Sequence, residues 1–263
     1  MLLFKHKGFP MTILRRLVLT FIILLLILFG ALLAYFSIYY HATKEAFTAL
    51  KSDEQVQISQ TDYGWFFDGP SDRDALIFYP GAKVEETAYA PLLHQLADKG
   101  LDVCLVKMPL RFALLGKNRA DGVMQQYNYE NWYLGGHSLG GAAAAFYLAD
   151  ATESAGDAVA GGPANGPGVR GIIFLASYST EPLDEHLRAL TIYGTEDRVL
   201  NMQKLKDGRN HLPPDSVTYV IEGGNHAQFG NYGPQKNDGT ATISPRVQQD
   251  ETCESILSFV RGR

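Results

Sequence analysis

Apolar positions fall into two regimes along the chain. Residues 17–40, LVLTFIILLLILFGALLAYFSIYY, make one uncharged run of 24. From residue 56 onward, short apolar runs alternate with stretches whose apolar side chains recur every three or four positions. The short runs predict strands at 56–60 and 64–67 (split by a Thr61-Asp62-Tyr63 turn), 75–79, 102–107, 132–134, 171–176, 190–193 and 217–221. The run at 75–79 closes on Pro80-Gly81, a turn signal. Helical spacing appears at 86–99, with Tyr89, Leu92, Leu93 and Leu96 on one stripe and a stop at Gly100. Further helices are predicted at 139–149 and 249–260, and a charged helical stretch at 181–188. Strands interleaved with helices imply an α/β fold: a mostly parallel central sheet with helices on both faces. Residues 154–168, SAGDAVAGGPANGPG, read as a mobile Gly/Pro/Ala-rich spacer, and no internal repeat is visible.

The first regime is membrane-sized. At about 1.5 Å per residue, a helix over 17–40 covers a hydrocarbon core of about 30 Å. Lys5, Lys7, Arg15 and Arg16 precede it without any acid, whereas mixed charges follow it. By the positive-inside rule the N-terminus stays in the cytoplasm and the remainder lies outside the cell membrane. Tyr35, Tyr39 and Tyr40 would form an aromatic belt at the outer end. The competing reading is a cleaved signal peptide, whose apolar core is normally about 7–15 residues and ends in an A-x-A-like site. The longer core here, offering only Ala31-Leu32-Leu33-Ala34, favours a signal anchor. The expected organisation is a basic tail at 1–16, a transmembrane helix at 17–40, a linker at 41–55 and a globular domain at 56–263.

Composition narrows the classes. The chain is 46% hydrophobic and 19% charged, which excludes a disordered or collagen-like chain. Its net charge of −5 includes the N-terminal cations, so the domain itself is more acidic. It offers no electrostatic footprint for nucleic acid. Cys104 and Cys253 are too few for a disulfide framework or a four-ligand zinc site. Cys104 lies in the run Val103-Cys104-Leu105-Val106, as a small buried hydrophobe would; a Cys104–Cys253 bridge is the alternative.

The chemistry collects at strand ends. Gly136-His137-Ser138-Leu139-Gly140 matches G-x-S-x-G directly after a strand and before a helix, the context of a nucleophile elbow. Such a turn strains the serine backbone, and its glycines remove the Cβ atoms that would collide there. A serine nucleophile needs a base, and the base needs an orienting group. His6 and His41 flank the apolar segment, His94 and His186 lie in helical stretches, and His137 is inside the elbow. His211 precedes the last strand, whereas His226 follows it in Glu222-Gly223-Gly224-Asn225-His226, at the C-terminal end where His226 can act as base. Gly194-Thr195-Glu196-Asp197 also follows a strand; Asp197 has room to turn back toward the histidine, with Glu196 as the neighbouring alternative. The order Ser138, Asp197, His226 is the one α/β-hydrolases use. An oxyanion hole would take the backbone N–H of Leu139 and one from the loop Tyr79-Pro80-Gly81-Ala82-Lys83-Val84, with Ala82 the first choice and Lys83 the second.

The blocks YPGAKVEETAYAPLLHQLADKG, GGHSLGGAAAA, YGTEDRVL and EGGNHAQFGNYG, in that order, resemble the α/β-hydrolase superfamily over residues 56–260. Within it they resemble the fold-5 family of small bacterial serine hydrolases. The resemblance implies a Ser138, Asp197, His226 triad with Ala82 and Leu139 at the oxyanion hole. The architecture also resembles dienelactone hydrolases, but those carry a cysteine nucleophile, so lactone specificity does not follow. H-E-x-x-H and G-x-x-x-x-G-K-[ST] are both missing, and Asn237-Asp238-Gly239-Thr240 lacks EF-hand spacing and reads as a turn. No cofactor or metal is implied.

The reading is an extracytoplasmic serine hydrolase acting on a small-molecule or lipid-like acyl substrate, a carboxylesterase foremost, held to the bilayer by its N-terminal helix. An acyltransferase on the same triad, or a non-catalytic binding module on this fold, are the alternatives. The short connection 177–188 leaves no room for a cap domain. Met108-Pro109-Leu110-Arg111-Phe112 would form a shallow apolar rim, so loop lengths alone favour short, water-accessible acyl groups.

Overall fold

A computed structural model of the chain describes residues 11–70, 73–155 and 168–262, and contacts divide it at Ile38/Tyr39. The first unit holds one helix, α1 (Met11–Ser37), whose stretch Thr12–Ser37 is long and apolar enough to cross a membrane and is nowhere buried. Its 27 residues span about 40 Å. The helix starts before the uncharged run, because Arg15 and Arg16 are good helix formers, and it ends before the run does. Tyr39 and Tyr40 belong to the second unit, where Tyr40 bridges Val84. Hydropathy reads both tyrosines as continuing the span; contact with the domain claims them.

In the second unit eight strands form one sheet: β1 (Gln57–Thr61), β2 (Gly64–Asp68), β3 (Asp74–Tyr79), β4 (Asp102–Val106), β5 (Asn131–His137), β6 (Val169–Leu175), β7 (Arg188–Gly194) and β8 (Ser216–Ile221). Their order is β1-β2-β4-β3-β5-β6-β7-β8; the β1–β2 and β2–β4 pairs are antiparallel and all others parallel. The helices are α2 (Lys44–Thr48), α3 (Ala90–Asp98), α4 (Arg119–Gln126), α5 (Leu139–Ala155), α6 (Met202–Gly208) and α7 (Pro245–Val260). The period-2 alternation of a strand sorts β3 between two cores. Leu76 and Phe78 join α3 and α7 on one face; Ala75, Ile77 and Tyr79 join α4 and α5 on the other. The two free cysteines are buried on opposite faces, Cys253 in the first core and Cys104 in the second.

Two local expectations change. Residues 41–55 carry α2 with Ala46 fully buried, so this segment is packed against the domain. Residues 181–187 are not helical: the Asp184 carboxylate accepts the His186 N–H at 2.8 Å and turns the chain, and Leu183 N–H donates to His211 O. The spacer predicted at 154–168 lies mostly outside the described residues. The connection from β6 to β7 holds no helix or strand.

Candidate active site

Strand β5 ends at His137 and α5 begins at Leu139, leaving Ser138 alone in the turn with a left-handed φ of 53°. That conformation costs a non-glycine residue about 1–2 kcal/mol and persists only where neighbours over-determine it. Here Ser138 N–H donates to Leu175 O at 2.9 Å, and Ser177 Oγ donates to Ser138 O at 2.7 Å. The flanking glycines answer to sterics. A Cβ on Gly140 would stand 2.1 Å from Tyr79 O, and one on Gly136 would stand 2.5 Å from Gly140 C. Elbow and β3 loop therefore touch through bare backbone.

Asp197 and His226 come from the loops after β7 and β8, adjacent parallel strands, and the parallel register brings both loops to one end of the sheet. Asp197 Oδ2 lies 2.8 Å from His226 Nδ1, both side chains being buried. Its other oxygen accepts the N–H groups of Val199 and Leu200, each at 2.8 Å. A carboxylate accepting from Nδ1–H leaves the Nε2 lone pair of His226 free. That Nε2 is buried and finds no partner among the described residues. Glu196, the alternative acid, instead reaches Arg198 at 3.4 Å. Of the histidines set aside, His94 pairs with Asp53 at 3.2 Å, and His211 sits in a 3-10 turn before β8.

His226 is brought to the elbow by His137, whose ring centroid is 4.5 Å from its own. His137 was passed over in the sequence because it lies inside the motif. Gly81 N–H donates to Tyr89 Oη at 3.0 Å, so the phenol proton points to His137 Nδ1, 2.8 Å away. Burial, and then the neighbouring His226, hold the His137 imidazole well below its ordinary pKa, so it stays neutral. Tyr89 thus ties the β3 loop to the elbow. Burial also pushes both thiols up, Cys253 to about 11, which keeps them protonated and poor nucleophiles.

In the β3 loop, Lys83 N–H is taken by Arg111 O at 2.9 Å and Gly81 N–H by Tyr89. Both neighbours of Ala82 are thus committed, while Ala82, Ser138 and Leu139 are all partly exposed. Leu139 heads α5, whose first N–H groups have no intrahelical acceptor.

A second residue that sequence reasoning set aside is Asp238. Its carboxylate accepts the N–H groups of Arg198, His226, Ala227 and Gly239 at 2.8–3.3 Å, pinning the acid loop to the histidine loop. The turn lies just ahead of the predicted one, at Lys236–Asn237, with Asp238 N–H donating to Gln235 O at 3.2 Å, and the Asp238 carboxylate faces donors. Only the Asn-Asp-Gly composition hinted at it.

A parallel sheet with a strained serine between strand and helix, and an Asp–His pair from the following strands, is the architecture of a hydrolase. The chain belongs to the Alpha/beta hydrolase family, whose model matches residues 75–250. Solved structures agree on the fold. TT1662 from Thermus thermophilus aligns at a TM-score of 0.52 with 13% identity, covering 80% of this chain and 100% of that one. Esterase 2 of Thermogutta terrifontis, in its apo form, aligns at 0.52 with 11% identity over 80% of this chain and 96% of that one. The carboxylesterase CesB of Bacillus subtilis aligns at 0.50 with 13% identity over 83% and 95%. No curated protein sequence matches the chain.

Proposed function

We propose that the protein is a membrane-anchored, extracytoplasmic serine hydrolase that cleaves a carboxylic ester through an acyl-enzyme. The observation that carries this reading is the Asp197–His226 pair at 2.8 Å, with an unpartnered Nε2 and its ring 4.5 Å from that of His137, the residue that precedes a serine at φ 53°. In the proposed reaction His226 Nε2 takes the Ser138 proton as Oγ attacks the ester carbonyl. The oxyanion receives the N–H groups of Ala82 and Leu139, and the head of α5 adds its positive dipole end. The protonated His226 gives its proton to the leaving alkoxide. Water, deprotonated by the same His226, then releases the acid. Asp197 holds the ring and balances its transient charge. The esterases among the structural neighbours support an ester substrate. The basic residues ahead of the apolar helix support a cytoplasmic N-terminus.

The test is fluorophosphonate labelling of the full chain together with hydrolysis of p-nitrophenyl esters. Ser138→Ala should abolish labelling and lower hydrolysis by about 10⁶ with an unchanged melting temperature. Asp197→Asn should cost about 10⁴, and Glu196→Gln should change little. Hydrolysis by Ser138→Ala within tenfold of the parent would refute the assignment.

A further inference from the structure

The segment that follows the apolar helix is built into the candidate site. Tyr40 N–H donates to Lys83 O at 2.8 Å, Glu85 N–H donates to Tyr40 O at 2.9 Å, and Tyr40 pairs with Val84 as a short parallel bridge. Ala42 N–H reaches the Glu85 carboxylate at 3.0 Å. The same strap holds the histidine side: Thr43 N–H donates to Asn231 O at 2.8 Å, and Lys236 N–H to Tyr40 Oη at 3.0 Å. Lys83, Leu110 and Arg111 all have left-handed φ, between 52° and 58°. The bonds from Lys83 O to Tyr40 and from Lys83 N–H to Arg111 O hold that strained corner in place. The last helical residue is Ser37. Ser37 and Tyr40 are three residues apart in the chain, so the end of the helix and the strap on the Ala82 loop can be no more than about 10 Å apart, the reach of three fully extended residues.

That distance is comparable to one headgroup layer, about 5–8 Å thick on each side of the hydrocarbon. The rim has matching chemistry. Leu110 and Leu115 are exposed, at 46% and 57%, and the Arg111 guanidinium stacks 3.5 Å over the Tyr39 ring. Aromatic, cationic and aliphatic groups side by side are what a bilayer interface accommodates.

We propose that the Ala82 loop and the Leu110 rim sit against the bilayer surface, and that the substrate is the acyl ester of a membrane glycerolipid. The proposal rests on the serine-hydrolase and anchor readings above. It replaces the preference for short, water-borne esters that loop lengths suggest: an uncapped site tethered within a headgroup layer needs no lid, because the bilayer itself presents the ester. In this reaction the Ser138 Oγ–acyl bond forms as the bond between the acyl carbon and the glyceryl oxygen breaks. The serine proton passes through His226 to the glyceryl oxygen, and water then releases a free fatty acid.

The experiment uses the full chain reconstituted in vesicles of phosphatidylcholine and phosphatidylglycerol. Fatty acid released from the vesicle lipid and hydrolysis of added p-nitrophenyl butyrate are followed in one sample. A ten-residue Gly/Ser spacer inserted between Ile38 and Tyr39 keeps the strap but lets the domain rise by about 18 Å. It should lower fatty-acid release roughly tenfold or more as the effective concentration of lipid ester falls, with butyrate hydrolysis unchanged. Butyrate hydrolysis without fatty-acid release would overturn the lipid proposal alone, as would equal rates with and without the spacer, or an equal loss on both substrates. Failure of the chain to cleave either ester, with no fluorophosphonate label on Ser138, would overturn the hydrolase reading and this proposal with it. A labelled Ser138 with neither ester cleaved would overturn only the lipid proposal.

Discussion

The elbow and the histidine loop solve the same problem by opposite means. At the elbow, position is encoded within five residues: Gly136 and Gly140 remove two Cβ atoms, β5 and α5 supply the flanks, and Ser138 has no other place to go. The histidine loop holds His226 through distant partners. Asp197 stands 29 residues before it, Asp238 12 residues after, and Gln248 braces Asn225 through both its N–H and its carbonyl. Short-range sterics place the group that must be strained. Long-range hydrogen bonds place the group that must be aimed.

That contrast can be broken from either side. The largest effect should come from Gly140→Ala, whose Cβ would meet the main-chain oxygens of Tyr79 and Pro80 at 2.1 and 2.5 Å. Neither can retreat without moving β3, so a loss of about 3 kcal/mol or more is expected. Thermal denaturation should show a melting temperature lower by about 10 °C. Damage confined to activity would mean that the elbow is not sterically closed.

Asp238→Ala should do the reverse. Four N–H groups lose their acceptor on the exposed side of the histidine loop, and His226 loses its aim before the core is disturbed. Ester hydrolysis should fall by roughly 100-fold, with Asp238→Asn recovering part of the loss because one oxygen remains. A melting temperature that falls as far as in Gly140→Ala would show the loop to be part of the fold's foundation instead.

The smallest effect is a slope. Because burial lowers the His137 pKa, the native state keeps this ring neutral below pH 6.5 while the unfolded chain takes up a proton there. The unfolded state then binds more protons, so this residue's contribution to stability is present above pH 6.5 and declines as pH falls below it. His137→Gln should flatten the stability profile between pH 5 and 6.5 by up to about 1.4 kcal/mol per pH unit. An unchanged slope in urea denaturation across that range would show that the native ring takes up its proton over the same range as the unfolded chain.

Much of the architecture was legible because its signals are local. Strands buried on both faces read as apolar runs, as 75–79 and 102–107 do, and the elbow needs only its own glycines and flanks. The Asp–His pair was legible more indirectly, because in a parallel sheet residues just beyond neighbouring strand ends must share one edge. The choice of Asp197 over Glu196 rested on turn length; in the structure it is Asp197 that lies 2.8 Å from His226. The charged stretch 181–188 misled: its composition suits a helix, but the Asp184 side chain offers the backbone a turn instead.

The sequence by itself determined the α/β class, the apolar helix and the serine turn between strand and helix, because each depends on periodicity or on neighbours within a few positions. Tertiary structure alone decided the rest. Tyr40 reads as the end of an apolar span until its main chain is seen bonded to Lys83 and Glu85, 43 and 45 residues away. His137 reads as filler in a motif until Tyr89 and His226 close around it. Asp238 reads as a turn residue until its carboxylate is found gathering the N–H groups of two loops. Hydrogen bonds between remote residues leave no periodic trace in a chain, because their partners are chosen by the fold that brings them together.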